Sequence, residues 1–148
     1  MRTMGLDVGT KTVGVAVSDE LGYTGQAVVT VRRTNLKADL EALARLIAEH
    51  EVTRVVVGLP LNMNGSEGPR AEASREFGRR VEERLKVPVE YWDERLTTVA
   101  AQRTLLEADL SRQKRKQVVD RLAAALILQG WLDARRGGLD NDPFDEDS

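Results

Sequence analysis

The stretch MGLDVGTKTVGVAVSD, from Met4 to Asp19, decides the fold of this chain. Apolar residues alternate along it with glycine, alanine or serine, and the segment Gly9 to Thr12 interrupts the alternation as a turn. This pattern predicts a hairpin of two β-strands. Side chains alternate between the two faces of a strand, so Asp7 shares its face with Gly5 and Gly9.

Asp7 stands where ordinary packing disfavours a carboxylate. Aspartate is uncommon inside strands, and a buried carboxylate needs a cation, a metal or hydrogen bonds to offset its lost hydration. The glycines on its face predict room for a ligand there. The alternative interpretation is that Asp7 accepts hydrogen bonds from the amides of the turn, as aspartate often does.

Length and composition predict one domain with a hydrophobic core, since the chain has 148 residues of which 41% are hydrophobic. No apolar run approaches the roughly 20 residues of a membrane span. We therefore expect a cytoplasmic protein without a membrane partner. The absence of cysteine excludes disulfides and thiolate metal sites. The single histidine, His50, is predicted near a helix end, in a solvated or capping role.

The charge is distributed unevenly along the chain. Five of the 24 acidic residues lie after residue 139, where no lysine or arginine occurs, and the rest of the chain carries 22 basic against 19 acidic groups. Residues 137–148 show no periodicity and are predicted to form an acidic, disordered tail beyond a single domain at 1–136. A tail that competes with a polyanion for a basic face is the alternative.

The middle of the chain alternates between strand and helix patterns. Strands are predicted at Gln26 to Val31, Arg54 to Gly58 and Val87 to Asp93. Helices are predicted to begin at Asn35, Pro69, Thr97 or Thr98, and Ser111, and the last two end near Ala108 and Arg136. Leu59 to Gly68 is predicted to be a loop. This order predicts a mixed α/β sheet, antiparallel at its start and joined by crossovers later.

A second pair of carboxylates, Asp93 and Glu94, falls at the carboxyl end of the fifth predicted strand. Ligand sites in α/β sheets favour that strand end, although an acid before a helix also complements the helix dipole. Strand alternation sends the two side chains to opposite faces, so Asp93 is the reserve candidate beside Glu94.

The third carboxylate, Asp120, lies on the last predicted helix. It aligns with an apolar, partly small-residue stripe formed by Ala123, Ala124, Ile127 and Trp131. The alternative is a surface ion pair with Lys116 one turn earlier, worth only a few tenths of a kcal/mol.

Three acidic residues from distant parts of the chain indicate a site for a hard divalent cation. Oxygen ligands alone suit Mg²⁺ or Mn²⁺, and carboxylates that hold such ions support phosphodiester hydrolysis. Basic groups that could contact a nucleic-acid backbone lie near these acids in the sequence. They are Lys11, Arg95, Arg112, Lys114, Arg115 and Lys116. Asn62 and Asn64, in the predicted loop after the fourth strand, could contact sugar or phosphate, or serve only as a connection.

Four segments of the chain resemble the successive motifs of the bacterial YqgF/RuvX family. They are GLDVGTKTVGVAVSD, VVGLPLNMNGSEGPRA, WDERLTT and SRQKRKQVVDRLAAALILQGWLD, in family order and covering the chain to about residue 136. The resemblance implies a ribonuclease H-like fold with a five-stranded mixed sheet ordered 3-2-1-4-5, strand 2 antiparallel, flanked by helices. It also implies a metal-dependent nuclease, with Asp7, Glu94 and Asp120 as its catalytic, metal-binding acids.

Family proteins are described as Holliday-junction resolvases and as nucleases that mature the 5′ end of pre-16S rRNA, and the sequence does not choose between these substrates. Symmetric cleavage of a junction would favour a homodimer, whereas trimming one RNA end needs only a monomer. A non-catalytic rRNA-binding or ribosome-assembly factor is an alternative. GLDVGT also resembles the first phosphate loop of the actin and sugar-kinase superfamily, but those proteins need two related domains, and this chain has no second copy of the motif.

Overall fold

The structure is a computed structural model that describes residues 1–96 and 112–139, with the side chains of 119–136 in the last of these segments. Its strands are β1 (Arg2–Val8), β2 (Thr12–Ser18), β3 (Gly25–Arg32), β4 (Val52–Leu59) and β5 (Val89–Asp93). Its helices are α1 (Leu36–His50), α2 (Pro69–Leu85) and α3 (Arg112–Leu139), with one 3-10 turn at Glu94–Leu96.

The five strands form one sheet in the order β3-β2-β1-β4-β5, as the resemblance implies. The β1–β2 hairpin and the β2–β3 pair are antiparallel. The pairs β1–β4 and β4–β5 are parallel, because helices cross over between these strands. The mixed sheet predicted from the order of the elements is therefore confirmed.

Local sequence explains where the first two helices begin. The Asn35 side chain accepts a hydrogen bond from the amide of Ala38 and caps α1, and Pro69 occupies the first turn of α2. His50 is the last residue of α1, as predicted. The strand boundaries differ from the predictions by one or two residues, and Leu59 belongs to β4 and not to the following loop.

The sheet separates two hydrophobic clusters. Large side chains of β1, β2 and β4 pack on α1 and α2; they include Met4, Leu6, Val15, Val55 and Val57, against Leu40, Leu43, Phe77 and Val81. The other face is covered by α3, where Ala16 and Val56 meet Ala123, Ala124, Ile127 and Leu128. The apolar stripe predicted on the last helix is thus its sheet-facing side.

Some predictions fall outside the described residues. These are the helix from Thr97 or Thr98 to about Ala108, the Ser111 cap and the part of the acidic tail at 140–148. Helix α3 continues to Leu139, three residues beyond its predicted end near Arg136. Within the described segments, no helix combines the length and the apolar composition needed to cross a membrane.

Candidate active site

Asp7 lies near the carboxyl end of β1, on the face covered by α3, and is 7% exposed. Its partner across the hairpin is Gly14. A methyl group on Gly14 would come within 2.0 Å of the Asp120 carbonyl oxygen, so the backbone of α3 rests directly on this glycine. The hairpin therefore brings Asp7 and Asp120 to neighbouring positions on one face of the sheet.

A hydrogen bond fixes Asp120 to the start of β2. The Thr12 hydroxyl donates to Oδ2 of the Asp120 carboxylate, across 108 residues of chain. Thr12 is two residues before Gly14, so both lie on the α3 side of the strand. Sequence reasoning missed Thr12, because nothing in the hairpin pattern indicates which distant residue will lie above it.

Glu94 reaches the same face from the other side of Asp7. A Cβ atom on Gly58 would lie 2.8 Å from Oε2 of Glu94 and 2.5 Å from Cδ1 of Ile127. The β1–β4 register pairs Leu6 with Val57, and its continuation sets Gly58 beside Asp7. Gly14, Asp7 and Gly58 thus form a row across three adjacent strands, with neighbours about 5 Å apart.

The space beside Asp7 is not the ligand-sized gap that the glycines predicted. A Cβ on Gly5 would lie 2.7 Å from the Leu128 Cβ, and one on Gly9 would lie 2.9 Å from the Thr12 carbonyl oxygen. Helix α3 and the turn fill these positions. The glycines admit a helix backbone close to the sheet, and through it the Asp120 side chain.

The three acids suit a hard divalent cation in their chemistry. All supply carboxylate oxygens, which Mg²⁺ and Mn²⁺ prefer, and all come from one face at one end of the sheet. Within the described residues, however, no three aspartate, glutamate or histidine side chains are gathered closely enough to hold a metal ion. The three acids share a face without forming a closed ligand set, and their assignment stays a prediction.

Asp93 occupies a different environment from Glu94. It pairs in register with Leu59, on the side of the sheet covered by α1 and α2. Its carboxylate accepts hydrogen bonds from Nε and Nη2 of Arg95, at 3.1 and 2.7 Å, and from the Arg95 amide at 2.9 Å. The Arg95 guanidinium lowers the pKa of Asp93 below its ordinary value of 3.8. Asp93 therefore positions Arg95, on the side of the sheet opposite to Glu94 and Asp7.

Arg95 also holds the loop that follows β4. Its Nη1 donates to the Met63 carbonyl oxygen at 3.2 Å. In that loop, Asn62 Nδ2 donates to the Ser66 hydroxyl at 2.9 Å, and the Ser66 amide donates to Asn64 Oδ1 at 3.0 Å. The structure thus brings Asn62, Asn64 and Arg95 together, and it gives each of them a role in shaping the loop.

Lys11 is exposed in the turn between β1 and β2, next to Thr12. Two arginines that sequence reasoning missed support this turn. Arg33 Nη1 donates to the Gly9 carbonyl oxygen at 2.8 Å, and Arg70 Nη2 donates to the Val8 carbonyl oxygen at 3.2 Å. The turn that carries Lys11 is therefore bordered by two further cations.

The predicted basic cluster begins α3. Arg112, Lys114, Arg115 and Lys116 lie four to eight residues before Asp120, which is about 6 to 12 Å along a helix. Their side chains lie outside the described residues. Their backbone lies in the first two turns of α3, immediately before Asp120.

Comparison with solved structures identifies the class of fold. Thermus thermophilus RuvC in complex with a Holliday junction substrate superposes with a TM-score of 0.59 at 13% identity, over 93% of this chain and 97% of RuvC. The fowlpox virus resolvase bound to Holliday junction DNA gives a TM-score of 0.50 at 11% identity, over 90% and 98% of the two chains. The protein thus has the ribonuclease H-like fold of the resolvases, as the sequence resemblance implied.

The chain belongs to the RuvX family, described as "Holliday junction resolvase", whose sequence profile matches residues 1–134. A Myxococcus xanthus protein named "Putative pre-16S rRNA nuclease" is 67% identical over 149 aligned residues, spanning 100% of this chain and 99% of its own length. A Heliobacterium modesticaldum protein of the same name is 65% identical over 135 residues, which is 91% of each chain.

Proposed function

We propose that the protein is a divalent-metal-dependent endonuclease that hydrolyses phosphodiester bonds in structured nucleic acid. We propose the 5′ end of pre-16S rRNA as its main substrate, because relatives that are similar over nearly their whole length are named pre-16S rRNA nucleases. Holliday junction DNA is the second substrate, after the family description. The observation that carries the proposal is the row of Gly14, Asp7 and Gly58, on which the backbone of Asp120 and the carboxylate of Glu94 rest.

In this proposal Asp7, Glu94 and Asp120 hold Mg²⁺ or Mn²⁺. Bound metal supplies activation of a water molecule and stabilises negative charge on the leaving oxygen. The water oxygen forms a new bond to phosphorus, the bond to the leaving oxygen breaks, and a proton passes from the water to the leaving group. Thr12 orients Asp120, because its hydroxyl occupies one lone pair of Oδ2 and leaves the other oxygen for a ligand.

Nucleic acid is proposed to bind at the end of the sheet where the three acids lie. Lys11 lies beside the acids on one side, and the loop with Asn62, Asn64 and Arg95 lies on the other. The basic start of α3, with Arg112, Lys114, Arg115 and Lys116, extends the surface away from Asp120. Positive charge on both sides of the acids would position a phosphate backbone without reading sequence.

Asp7→Asn tests the chemistry. The substitution keeps the size of the side chain and removes one negative charge, so cleavage should fall by orders of magnitude while affinity holds or rises. Cleavage of a precursor rRNA fragment, a four-way junction and a linear duplex is compared with Mg²⁺, Mn²⁺ or no metal. Cleavage by Asp7→Asn at the wild-type rate would leave Asp7 a turn-stabilising residue and favour a non-catalytic binding protein.

A triple variant, Arg112→Gln with Lys114→Gln and Lys116→Gln, tests the binding surface. Removing one basic side chain that neutralises a phosphate lowers the slope of log affinity against log salt by about 0.9 on duplex DNA. The variant should bind more weakly, with a shallower salt dependence, and should recover cleavage at saturating enzyme. An unchanged slope would remove the start of α3 from the binding surface.

A further inference from the structure

A pocket lined by three arginines lies at the end of α3 far from Asp120. Its volume is about 220 Å³, and it is bordered by the start of β1, the end of β2 and the start of β4. Its lining includes Thr3, Ser18, Arg54, Trp131, Arg135 and Arg136. Trp131 is eleven residues after Asp120, so this α3-end pocket is about 16 Å along the helix from the acids.

Two arginines lie over the Trp131 ring in the α3-end pocket. The guanidinium carbons of Arg54 and Arg135 are 5.4 and 5.1 Å from its centroid. Arg54 also pairs with Glu90 at 3.3 Å. Among the described residues, no carboxylate lies within ion-pair distance of Arg135, which is exposed. Arg135 is thus held against an aromatic face and is exposed to solvent, as a phosphate-binding arginine requires.

An exposed aromatic side chain adjoins the same pocket. Tyr23 is 55% exposed, and the guanidinium carbon of Arg136 lies 5.4 Å from its ring centroid. Arg136 also donates to the carbonyl oxygens of Gly22 and Tyr23, at 3.2 and 2.9 Å. The tyrosine therefore stands on a turn fixed to α3, with one face of its ring in contact with a cation.

Three acidic groups match the three arginines of this region in number, but none of them pairs with Arg135. Glu20 lines the pocket, Glu90 pairs with Arg54, and Asp133 pairs with Arg136. Of the three arginines that line the pocket, Arg135 is the one without an ion-pair partner among the described residues, so it is available to an anionic ligand. A ligand that suits the site carries a phosphate for Arg135 and a flat ring for Tyr23.

We propose that the α3-end pocket is a second nucleic-acid site that binds a single-stranded extension of the substrate, with a phosphate on Arg135 and a base on Tyr23. The inference rests on the proposed nuclease function. Bases are open to an aromatic side chain in single strands and not in duplexes. At about 3.4 Å per stacked nucleotide, the distance of about 16 Å between the sites corresponds to about five nucleotides.

The test uses the full chain with Asp7→Asn, so that substrate is bound without being cut. The probes are fluorescent RNA duplexes with a single-stranded extension of about two or about twelve nucleotides. Each extension is tested once as a 5′ overhang and once as a 3′ overhang. Stacking of one base on Tyr23 should raise the affinity for the long extension by about 5- to 150-fold. Tyr23→Ala with Arg135→Gln should remove that gain and leave the affinity for the short extension unchanged.

Arg84→Gln is the matched control, because Arg84, like Arg135, is an exposed arginine near the end of a helix, but it lies on the opposite face of the sheet. It should keep the gain. A gain that survives in the double variant, or that Arg84→Gln removes equally, would overturn the second site while leaving the nuclease function intact. Binding of a peptide of residues 140–148 in an Arg135-dependent manner, with no gain from the extension, would also overturn it. The binding experiment is read by fluorescence anisotropy, which does not report on cleavage. The nuclease function is therefore tested separately, and it would be rejected if the wild-type chain cleaved none of the substrates.

Discussion

The two faces of the sheet are packed differently. Toward α1 and α2, the strands present side chains such as Leu6, Val15 and Val57, all fully buried among large partners. Toward α3, the same strands present glycine at positions 5, 14 and 58, and a methyl group at any of them would lie within 3 Å of α3 or Glu94.

This difference separates stability from chemistry. Large interdigitating side chains bury most apolar area, which stabilises the fold at about 25 cal/mol per Å². Glycines contribute no side-chain area, but they let a helix backbone approach the sheet closely. The α3 face thus carries Asp120 into reach of Asp7, whereas a face built like the other one would hold the helix a side-chain layer away.

The largest expected effect is a difference in cleavage rate between variants of two adjacent acids, Glu94 and Asp93. Glu94→Gln removes a proposed metal ligand on the α3 face, so cleavage should fall by orders of magnitude. Asp93→Asn changes the carboxylate that positions Arg95 on the other side and should lower cleavage less than tenfold. Rates are measured at saturating substrate with Mg²⁺ and with Mn²⁺. The opposite order would make Asp93 the acid of the site.

Gly14→Ala should destabilise the protein by about 3 kcal/mol and abolish cleavage. The new methyl group would lie 2.0 Å from the Asp120 carbonyl oxygen, and a helix backbone yields less easily than a side chain. Urea unfolding and cleavage are measured on the same preparations.

The control for Gly14→Ala is Leu43→Ala in the opposite cluster, where a buried leucine is truncated at a cost of about 2–5 kcal/mol. Cleavage at a temperature where both variants are folded should persist in Leu43→Ala alone. Equal loss in the two variants would show that activity follows stability and not the position of α3.

Thr12→Val should destabilise the protein by about 1.5–3 kcal/mol, since the hydroxyl that donates to the Asp120 carboxylate is removed from a side chain of the same shape. Thr12→Ser keeps the hydroxyl and should retain most of the stability. Thermal unfolding of the three proteins measures the difference. Equal melting temperatures for Val and Ser would mean that the hydrogen bond does not attach α3 to the sheet.

The smallest expected effect is a pH dependence of the Asp93–Arg95 pair. Hydrogen bonding to Arg95 lowers the pKa of Asp93 from 3.8, so its stabilisation is complete above that pH and is lost as pH falls through the lowered pKa. Because the Arg95 side chain is 40% exposed, solvent screens the pair and its contribution to stability is small. The melting temperatures of wild type and Asp93→Asn should differ at pH 7 and converge only as the pH falls below the lowered pKa of Asp93. A constant difference at every pH would exclude the ion pair as its cause.

Within the described residues, the sequence by itself determined the strands and helices and the side of the sheet on which each acid lies. Period-two alternation in Met4 to Asp19 gave the hairpin and the face of Asp7, and the spacing of Ala123, Ile127 and Trp131 gave the sheet-facing side of α3. These features are local, because a side chain's direction follows from its position in a strand or helix. The strand order and the choice of Glu94 over Asp93 came through the family motifs and not through periodicity.

Only the tertiary structure decided what occupies the space around those acids. The contacts between Gly14 and Asp120, between Thr12 and Asp120, and between Gly58 and Glu94 join residues that are 36 to 108 positions apart. The α3-end pocket and the turn beside it likewise bring Tyr23, Arg54 and Arg135 together from three parts of the chain. No local pattern encodes such distances, because they depend on how closely a whole helix packs on the sheet, and that is set by the combined shape of both surfaces.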